Sequence, residues 1–146
     1  MAETLGSLCD KLTIVKLKQY HSTDADRLKS LASQQEQLED EINEFVDQAI
    51  AGNIPVSRLT FAANKVFKAH PGAIADVRGT IAQVFSQLAD VNCRLWHEQE
   101  KVYNFEQIPN DEKDTVVKQL AVLNLERTRC IDRIDKLFCE HVQKPK

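Results

Sequence analysis

Polar side chains interrupt the apolar stripes of two segments of this sequence, and their chemical types suit ligand recognition. Asn92, Trp96 and Glu98 stand in the stretch VNCRLWHEQEKVYNF, beside or within an otherwise apolar stripe. Asn124 and Arg127 interrupt the stripe of the last segment in the same way. Asparagine amides can anchor polar ligands, and the arginine guanidinium suits carboxylate or phosphate groups. These five residues define the first candidate site.

An arginine inside a helical bundle needs a carboxylate partner, because an unpaired buried charge is strongly unfavourable. Asp10 is the preferred partner of Arg127, since it shares a helix face with Ile14 and Leu17. Lys11 lies on the neighbouring flank and would complete a charged cluster. The alternative partners are Glu98, Glu100 and Asp135.

Two interpretations of this polar layer stay open on sequence grounds. Buried polar residues can fix register and helix pairing, so the layer would be purely structural. Alternatively it lines a ligand pocket, with Trp96 as an aromatic wall and the Asn and Arg side chains as anchors for a small anion.

Proline and glycine divide the chain into helical segments, whereas alternating strand patterns are almost absent. The first predicted helix covers residues 3–20. The second follows HSTDAD with Thr23 as its N-cap and ends near Gly52. Its inward stripe is expected at positions 28, 31, 35, 38, 42, 45 and 49, where only Gln35 is polar.

Three further elements follow. A short helix is predicted from Ser57 to Ala69, and a long helix over residues 73–106. The last helix begins at PNDEKD with Asn110 or Asp111 as its N-cap. Because the turn near Pro109 is short, the last two helices should form an antiparallel hairpin with residue 92 beside residue 124.

These elements predict an all-α fold, an elongated antiparallel helical bundle with long heptad-patterned helices. One domain should cover residues 1–142, with a frayed tail at 143–146. The two long helices carry more apolar surface than one chain covers, so we expect a homodimer.

Composition narrows the function classes. The chain has 146 residues, 42% of them hydrophobic, and a formal net charge of −3, which argues against a broad nucleic-acid binder. The start, MAETLGSLCDKL, lacks the pattern of a signal peptide, and no apolar stretch is long enough to span a bilayer. We therefore expect a cytoplasmic protein whose four cysteines stay thiols.

Catalytic and metal motifs are weak. His97-Glu98 does not continue as HExxH, because Lys101 stands at the second histidine position, so we expect no metal and no cofactor. The second helix is rich in carboxylates, as in all-helical nucleotide pyrophosphatases, but a second acidic helix is poorly represented by Asp132 and Asp135. The favoured function is a ligand- or protein-binding module. The alternative is a small metal-dependent enzyme acting on a nucleotide or other phosphate compound through Asp10, Lys11 and Arg127.

Three stretches resemble a group of uncharacterised bacterial helical families of unknown function: LGSLCDKLTIVKLK, LADVNCRLWHEQEKV and LNLERTRCIDRID. Those families share the patterns L-x-D-K-L-[TS]-I-x-x-x-K, N-x-x-L-W-x-x-E and N-x-x-R, the last followed by I-[DN]. The matching residues are Asp10, Lys11, Thr13, Ile14, Lys18, Asn92, Leu95, Trp96, Asn124, Arg127, Ile134 and Asp135. The acids after Trp96 stand at 98 and 100, whereas the family pattern has adjacent acids. The resemblance implies a bacterial all-helical protein and a link to cell-surface glycan assembly.

Overall fold

The computed structural model describes residues 2–61 and 77–144, which form four α-helices and no strand. These are α1 (Leu5–Tyr20), α2 (Ala25–Ile50), α3 (Ile81–Tyr103) and α4 (Asn110–Gln143). Short 3-10 turns occur at Val56–Arg58 and Phe105–Gln107. The predicted all-α class is confirmed for the described residues.

Helix α2 begins one residue later than its predicted cap implied. Asp24 is the N-cap, and its Oδ1 accepts the Asp26 amide at 3.0 Å, so the prediction of Thr23 was wrong. Threonine and aspartate both cap well, and propensity alone does not choose between neighbouring positions. The helix ends as predicted, just before Gly52, whose φ of +81° favours glycine.

Helix α3 is shorter than the predicted helix over 73–106. It begins at Ile81 and ends at Tyr103, while residues 73–76 lie outside the described residues. Gly79 has a φ of +111°, which breaks the helix although the apolar period continues across it. Thr80 then caps α3, its Oγ1 accepting the Gln83 amide at 3.3 Å while Gln83 Oε1 accepts the Thr80 amide at 2.8 Å.

The predicted helix from Ser57 to Ala69 is not α-helical in its described part. Residues 56–58 form a 3-10 turn and residues 59–61 are irregular, while residues 62–69 lie outside the described residues. Pro55 precedes this turn with an extended ψ of 138°, so the chain turns rather than starting a regular helix. Leu59 is nevertheless completely buried and anchors the segment to the core.

The start of α4 also differs from the prediction. Pro109 occupies the capping position with φ −54°, and no side chain caps the helix, so Asn110 and Asp111 are both within it. The fixed φ of the proline places Asn110 at the first helical position, where its side chain cannot act as the cap. Asp111 and Glu112 still favour the helix, because acidic side chains in the first turn complement its dipole.

Helix α1 packs against the other three helices, and its contacts show in which direction α3 and α4 run relative to it. It runs antiparallel to α4, since Gly6 near its start contacts Asp135 near the end of α4. It runs parallel to α3, since His21 just beyond its end stacks on Trp96. Helices α3 and α4 share the most extensive contact and form the predicted antiparallel hairpin, with Gln87 bonded to Glu126.

The apolar core lies where α1 and α3 begin and where α2 and α4 end. Its buried members come from all four helices and from the turn after α2. They are Leu5, Cys9, Ala49, Leu59, Val84, Leu88, Cys130, Ile134 and Phe138. The polar residues of interest therefore lie further along the bundle, beyond this core.

The inward stripe of α2 is only partly covered. Leu31 and Ala49 are buried, whereas Leu38, Ile42 and Phe45 are half-buried and none of the three faces open solvent. Gln35, the polar interruption, finds polar partners: it accepts from Gln19 at 3.0 Å and donates to Glu39 at 2.6 Å. Because α2 packs mainly on α1, grooves stay open along its flanks.

Candidate functional site

Asp10 is the centre of a buried polar network that joins three helices. Arg127 on α4 donates from Nε to Asp10 Oδ1 at 2.8 Å and from Nη2 to Asp10 Oδ2 at 2.5 Å. Asn92 on α3 donates from Nδ2 to Asp10 Oδ1 at 2.9 Å and to Thr13 Oγ1 at 2.7 Å. The predicted pairing of Arg127 with Asp10 is confirmed, and the bidentate geometry is the one guanidinium and carboxylate groups favour.

Burial differs across this network. Asp10 and Asn92 are 4% and 1% exposed, while the Arg127 side chain is 34% exposed and reaches the surface. The hydrogen bonds from Arg127 to Asp10 raise the pKa of the guanidinium, so Arg127 stays positively charged at physiological pH. Asn92 Oδ1 is buried, and this acceptor receives no hydrogen bond from a described residue.

Lys11 and Glu98, two other predicted site residues, lie outside the network. Lys11 pairs with Glu3, because it follows Asp10 by one residue and so points about 100° away around the helix. Glu98 bonds Lys101 at 3.0 Å on its own helix. Six residues separate Glu98 from Asn92, which places the two side chains on different faces of α3.

Trp96 and Asn124 also depart from the predicted single layer. Trp96 lies one turn beyond Asn92, and its Nε1 donates to Glu100 Oε1 at 2.8 Å. The Asn124 side chain is half-buried and forms no hydrogen bond with a described residue; only its carbonyl accepts, from Thr128 at 3.1 Å. The structure thus joins Asp10, Asn92 and Arg127, and it leaves Asn124 out of the network.

A groove borders this network on the α2 side and contains two adjacent cavities. The Arg127 cavity, of about 440 Å³, is lined by Asp10, Lys11, Lys18, Gln34, Glu41 and Arg127, among others. The Trp96 cavity, of about 340 Å³, is lined by Lys18, His21, Ser22, Arg27, Gln34 and Trp96, among others. Lys18 and Gln34 belong to both linings, so the cavities are two parts of one groove. Small-molecule sites have volumes of roughly this size.

The groove contains residues that sequence reasoning did not place in a site. Lys18 and Arg27 are exposed and form no ion pair with a described residue. The Ser22 hydroxyl is buried without a hydrogen-bond partner among the residues described. Lys18 stands in the family pattern of the first helix, and this pattern was the one sequence signal available for it. Arg27 and Ser22 have no sequence signal, because the groove arises from the angle at which α2 lies on α1.

A second buried carboxylate, Asp135, holds the start of α1 against α4. Its Oδ1 accepts the Gly6 amide at 2.7 Å, while its Oδ2 is buried without a bonded partner in the described chain. Burial raises the pKa of Asp135 to about 6, an effect that the Gly6 amide and the Thr4 hydroxyl only partly offset. Asp135 lines neither cavity of the groove, and its bond to Gly6 joins α1 to α4.

The four cysteine side chains are free thiols. Burial is the largest cause that raises the pKa of Cys9 to about 11 and that of Cys130 to about 12. Neither thiol forms a thiolate near neutral pH, and thiolates are the reactive form. Cys9 and Cys130 therefore act as core residues rather than nucleophiles.

No family model, no curated protein and no solved structure matches this chain. Within residues 2–61 and 77–144, no group of three or more His, Cys, Asp or Glu side chains is arranged to hold a metal ion. None of the helices described combines the length and hydropathy of a membrane span. The function must therefore be argued from the groove itself.

Proposed function

We propose that this protein is a binding module for a small anionic ligand, which occupies the groove between α2 and the Asp10–Arg127 pair. The observation that carries the proposal is that two cations, Lys18 and Arg27, line this one groove and form no ion pair with a described residue. Cations held near one another without acids of their own raise the local potential and attract anions. Lys18 lines both cavities and so can reach a ligand in either part.

The charge around the groove favours this assignment. Four cationic side chains, Lys11, Lys18, Arg27 and Arg127, line the two cavities together, against the carboxylates of Asp10 and Glu41. Asp10 and Arg127 neutralise each other and Lys11 is paired with Glu3, so Lys18 and Arg27 remain against the carboxylate of Glu41. The pairing also fixes the orientation of the guanidinium, and a pre-oriented donor loses less freedom when a ligand binds.

The alternative function, a metal-dependent phosphate enzyme, is less well supported by the same geometry. Both oxygens of Asp10 accept hydrogen bonds from Arg127, and Oδ1 accepts a further one from Asn92. A Mg²⁺ ion binds through carboxylate oxygens, so it would have to displace the guanidinium from Asp10. Lys11 lines the Arg127 cavity but is paired with Glu3.

The test is a comparison of ligand binding between two double variants with the same change in charge. Lys18→Gln with Arg27→Gln removes the groove cations, whereas Lys29→Gln with Lys118→Gln removes two exposed lysines that line neither cavity. Thermal shift and calorimetry with pyrophosphate, citrate and nucleoside phosphates should find an anion that stabilises the wild type. The groove variant should bind it about tenfold more weakly or worse, and the control should bind it normally. Equal loss in both variants would indicate general electrostatic attraction and would overturn the assignment.

We also propose that the protein acts as a homodimer in the bacterial cytoplasm. Support comes from large apolar side chains exposed on the described surface, including Tyr20 at 85%, Tyr103 at 79% and Val117 at 55%. Exposed apolar groups in excess commonly mark interfaces. Sedimentation equilibrium at tens of micromolar, a concentration suited to a weak dimer, should give twice the monomer mass. A purely monomeric sample there would contradict the proposal.

A further inference from the structure

Aromatic rings cluster at the end of the groove furthest from the apolar core. The His21 ring stacks on Trp96 with 4.8 Å between centroids and 9° between planes. Tyr20 and His97 meet His21 edge-on, at 5.1 and 6.0 Å. Tyr20 and His21 are exposed, and Trp96 is half-buried. These rings do not belong to the buried core, so core packing does not explain the cluster.

Local contacts hold this aromatic surface in place. The Trp96 indole is oriented by its hydrogen bond to Glu100, an acid on the same helix one turn ahead. His21 is the C-cap of α1, and its amide donates to the Leu17 carbonyl at 3.0 Å. The stacked pair is therefore fixed from two different helices, and a planar group that packs against it meets an ordered surface.

Polar groups lie beside the rings in the same cavity. Lys18 and Arg27 supply positive charge, and the buried Ser22 hydroxyl has no partner in the described chain. A buried hydroxyl without a partner is unfavourable until a ligand or water bonds it. The Trp96 cavity thus combines a flat aromatic surface with two cations and one hydroxyl that have no partner among the described residues.

We infer that the ligand of the groove is an anion that carries a planar aromatic ring. The ring packs against the His21–Trp96 pair, and the anionic group, phosphate or carboxylate, lies between Lys18 and Arg27. The Ser22 hydroxyl donates to that anionic group. This inference rests on the proposed anion-binding function and specifies the chemical class of the ligand.

The chain contains a single tryptophan, so its fluorescence reports on this cavity alone. The probes are two matched pairs, each with one aromatic member: adenosine monophosphate against ribose 5-phosphate, and benzoate against cyclohexanecarboxylate. The aromatic member of at least one pair should quench Trp96 fluorescence and bind about tenfold more tightly than its partner, as expected for stacking on an aromatic side chain. The pair that responds identifies phosphate or carboxylate as the anionic group.

Variants of Trp96 distinguish the contribution of the ligand's aromatic ring to binding from that of its anionic group. Calorimetry measures their binding because these variants lack the fluorophore. Trp96→Leu should abolish the preference for the aromatic member, whereas Trp96→Phe should retain most of it. The ring inference is overturned, and anion binding stands, if ring-free and aromatic anions bind equally and Trp96→Leu changes neither. If no anion of either pair binds to the wild type while pyrophosphate or citrate does, the ring inference fails and anion binding stands; if none of these anions binds, both fail. Circular dichroism and thermal melting identify a variant that has failed to fold, in which case Trp96→Phe decides the matter.

Discussion

Asp10 accepts three hydrogen bonds from two other helices, which makes it the residue that ties α1 to the α3–α4 hairpin. The pair with Arg127 is neither fully buried nor at the open surface, since Asp10 is enclosed while the guanidinium reaches the groove. This position suits two roles together. The inner face of the pair fixes the helices, and its outer face belongs to the cavity lining.

Arg127→Ala should destabilise the fold by about 2 to 4 kcal/mol, because it leaves the buried Asp10 without its two guanidinium bonds. The expected loss of stability is smaller than for a fully buried pair because the Arg127 side chain is 34% exposed. Urea denaturation measures the change. Asp10→Leu with Arg127→Met should recover most of the loss, since Asn92 keeps its bond to Thr13. A single variant as stable as the wild type would show that the pair contributes little.

Asp135→Asn should change how stability depends on pH. Burial raises the folded-state pKa of Asp135 to about 6 from 3.8, so the folded protein holds this proton more tightly than the unfolded chain. The stabilising contribution of the carboxyl is greatest below pH ~4 and falls by about 3 kcal/mol as the pH rises to ~6. The variant stays neutral, so its free energy of unfolding relative to the wild type should rise across that window and then level off.

Urea denaturation at a series of pH values measures this difference, with Asp40→Asn, an exposed position in the middle of α2, as the control. The control should differ from the wild type by a nearly constant amount across the window. If the Asp135 variant behaves like the control, the carboxyl titrates alike in the folded and unfolded states. Its burial would then have no consequence for stability against pH.

At the scale of the helices, α1 approaches α4 closely at Gly6. A Cβ placed on Gly6 would lie 2.5 Å from the Ile131 carbonyl oxygen and 2.9 Å from Asp135 Oδ1. The absence of a side chain is therefore what allows the Gly6 amide to reach Asp135. Glycine disfavours a helix interior by roughly 1 kcal/mol relative to alanine, so this residue is retained for packing rather than for helix formation.

Gly6→Ala should destabilise the protein by about 1 to 3 kcal/mol despite the better helix propensity of alanine, because backbone must move to relieve the overlap. Thermal and urea denaturation measure the effect. Gly52→Ala is the contrasting variant, since nothing lies within 4 Å of the added atom and only its φ of +81° is unfavourable. A Gly6→Ala protein more stable than the wild type would show that α1 and α4 can separate without loss.

At the scale of the whole molecule, the four helices are not attached equally. Helices α3 and α4 pack extensively along their lengths, and α1 contacts both, whereas α2 packs chiefly on α1. Most of the inward stripe of α2 is half-buried. Since α2 forms one wall of the groove, its position determines the width of both cavities.

We predict that amides in the middle of α2 exchange with solvent faster than those in the middle of α3 and α4. The reason is that local opening follows the amount of buried apolar contact, which is smallest for α2. Hydrogen-exchange mass spectrometry measures the rates, and peptides of α1 serve as an internal reference. A bound anion that bridges Lys18 of α1 and Arg27 of α2 should slow exchange in α2 in particular. Equal protection in all four helices would argue against a separately opening α2.

The sequence by itself determined the all-α class and predicted that Asp10 pairs with Arg127. The 3-4 spacing of apolar residues, with glycine and proline between segments, located the four helices of the described chain. The need of a buried arginine for an acid, together with the shared face of Asp10 and Ile14, predicted the Asp10–Arg127 bond. The first inference depends on the periodicity of apolar residues along the chain, and the second on the large cost of burying an unpaired charge. Both can be read from the order of residues alone.

Tertiary structure alone decided which other polar residues join that pair. Consecutive residues of a helix differ by about 100° in direction around its axis. Counting residues along the hairpin therefore could not show that Asn92 joins the buried network and that Asn124 does not. The groove depends on how α2 lies across α1, and this angle follows from side-chain packing between elements distant in sequence. For that reason only the tertiary structure shows that Lys18, Arg27 and Ser22 line the same cavity.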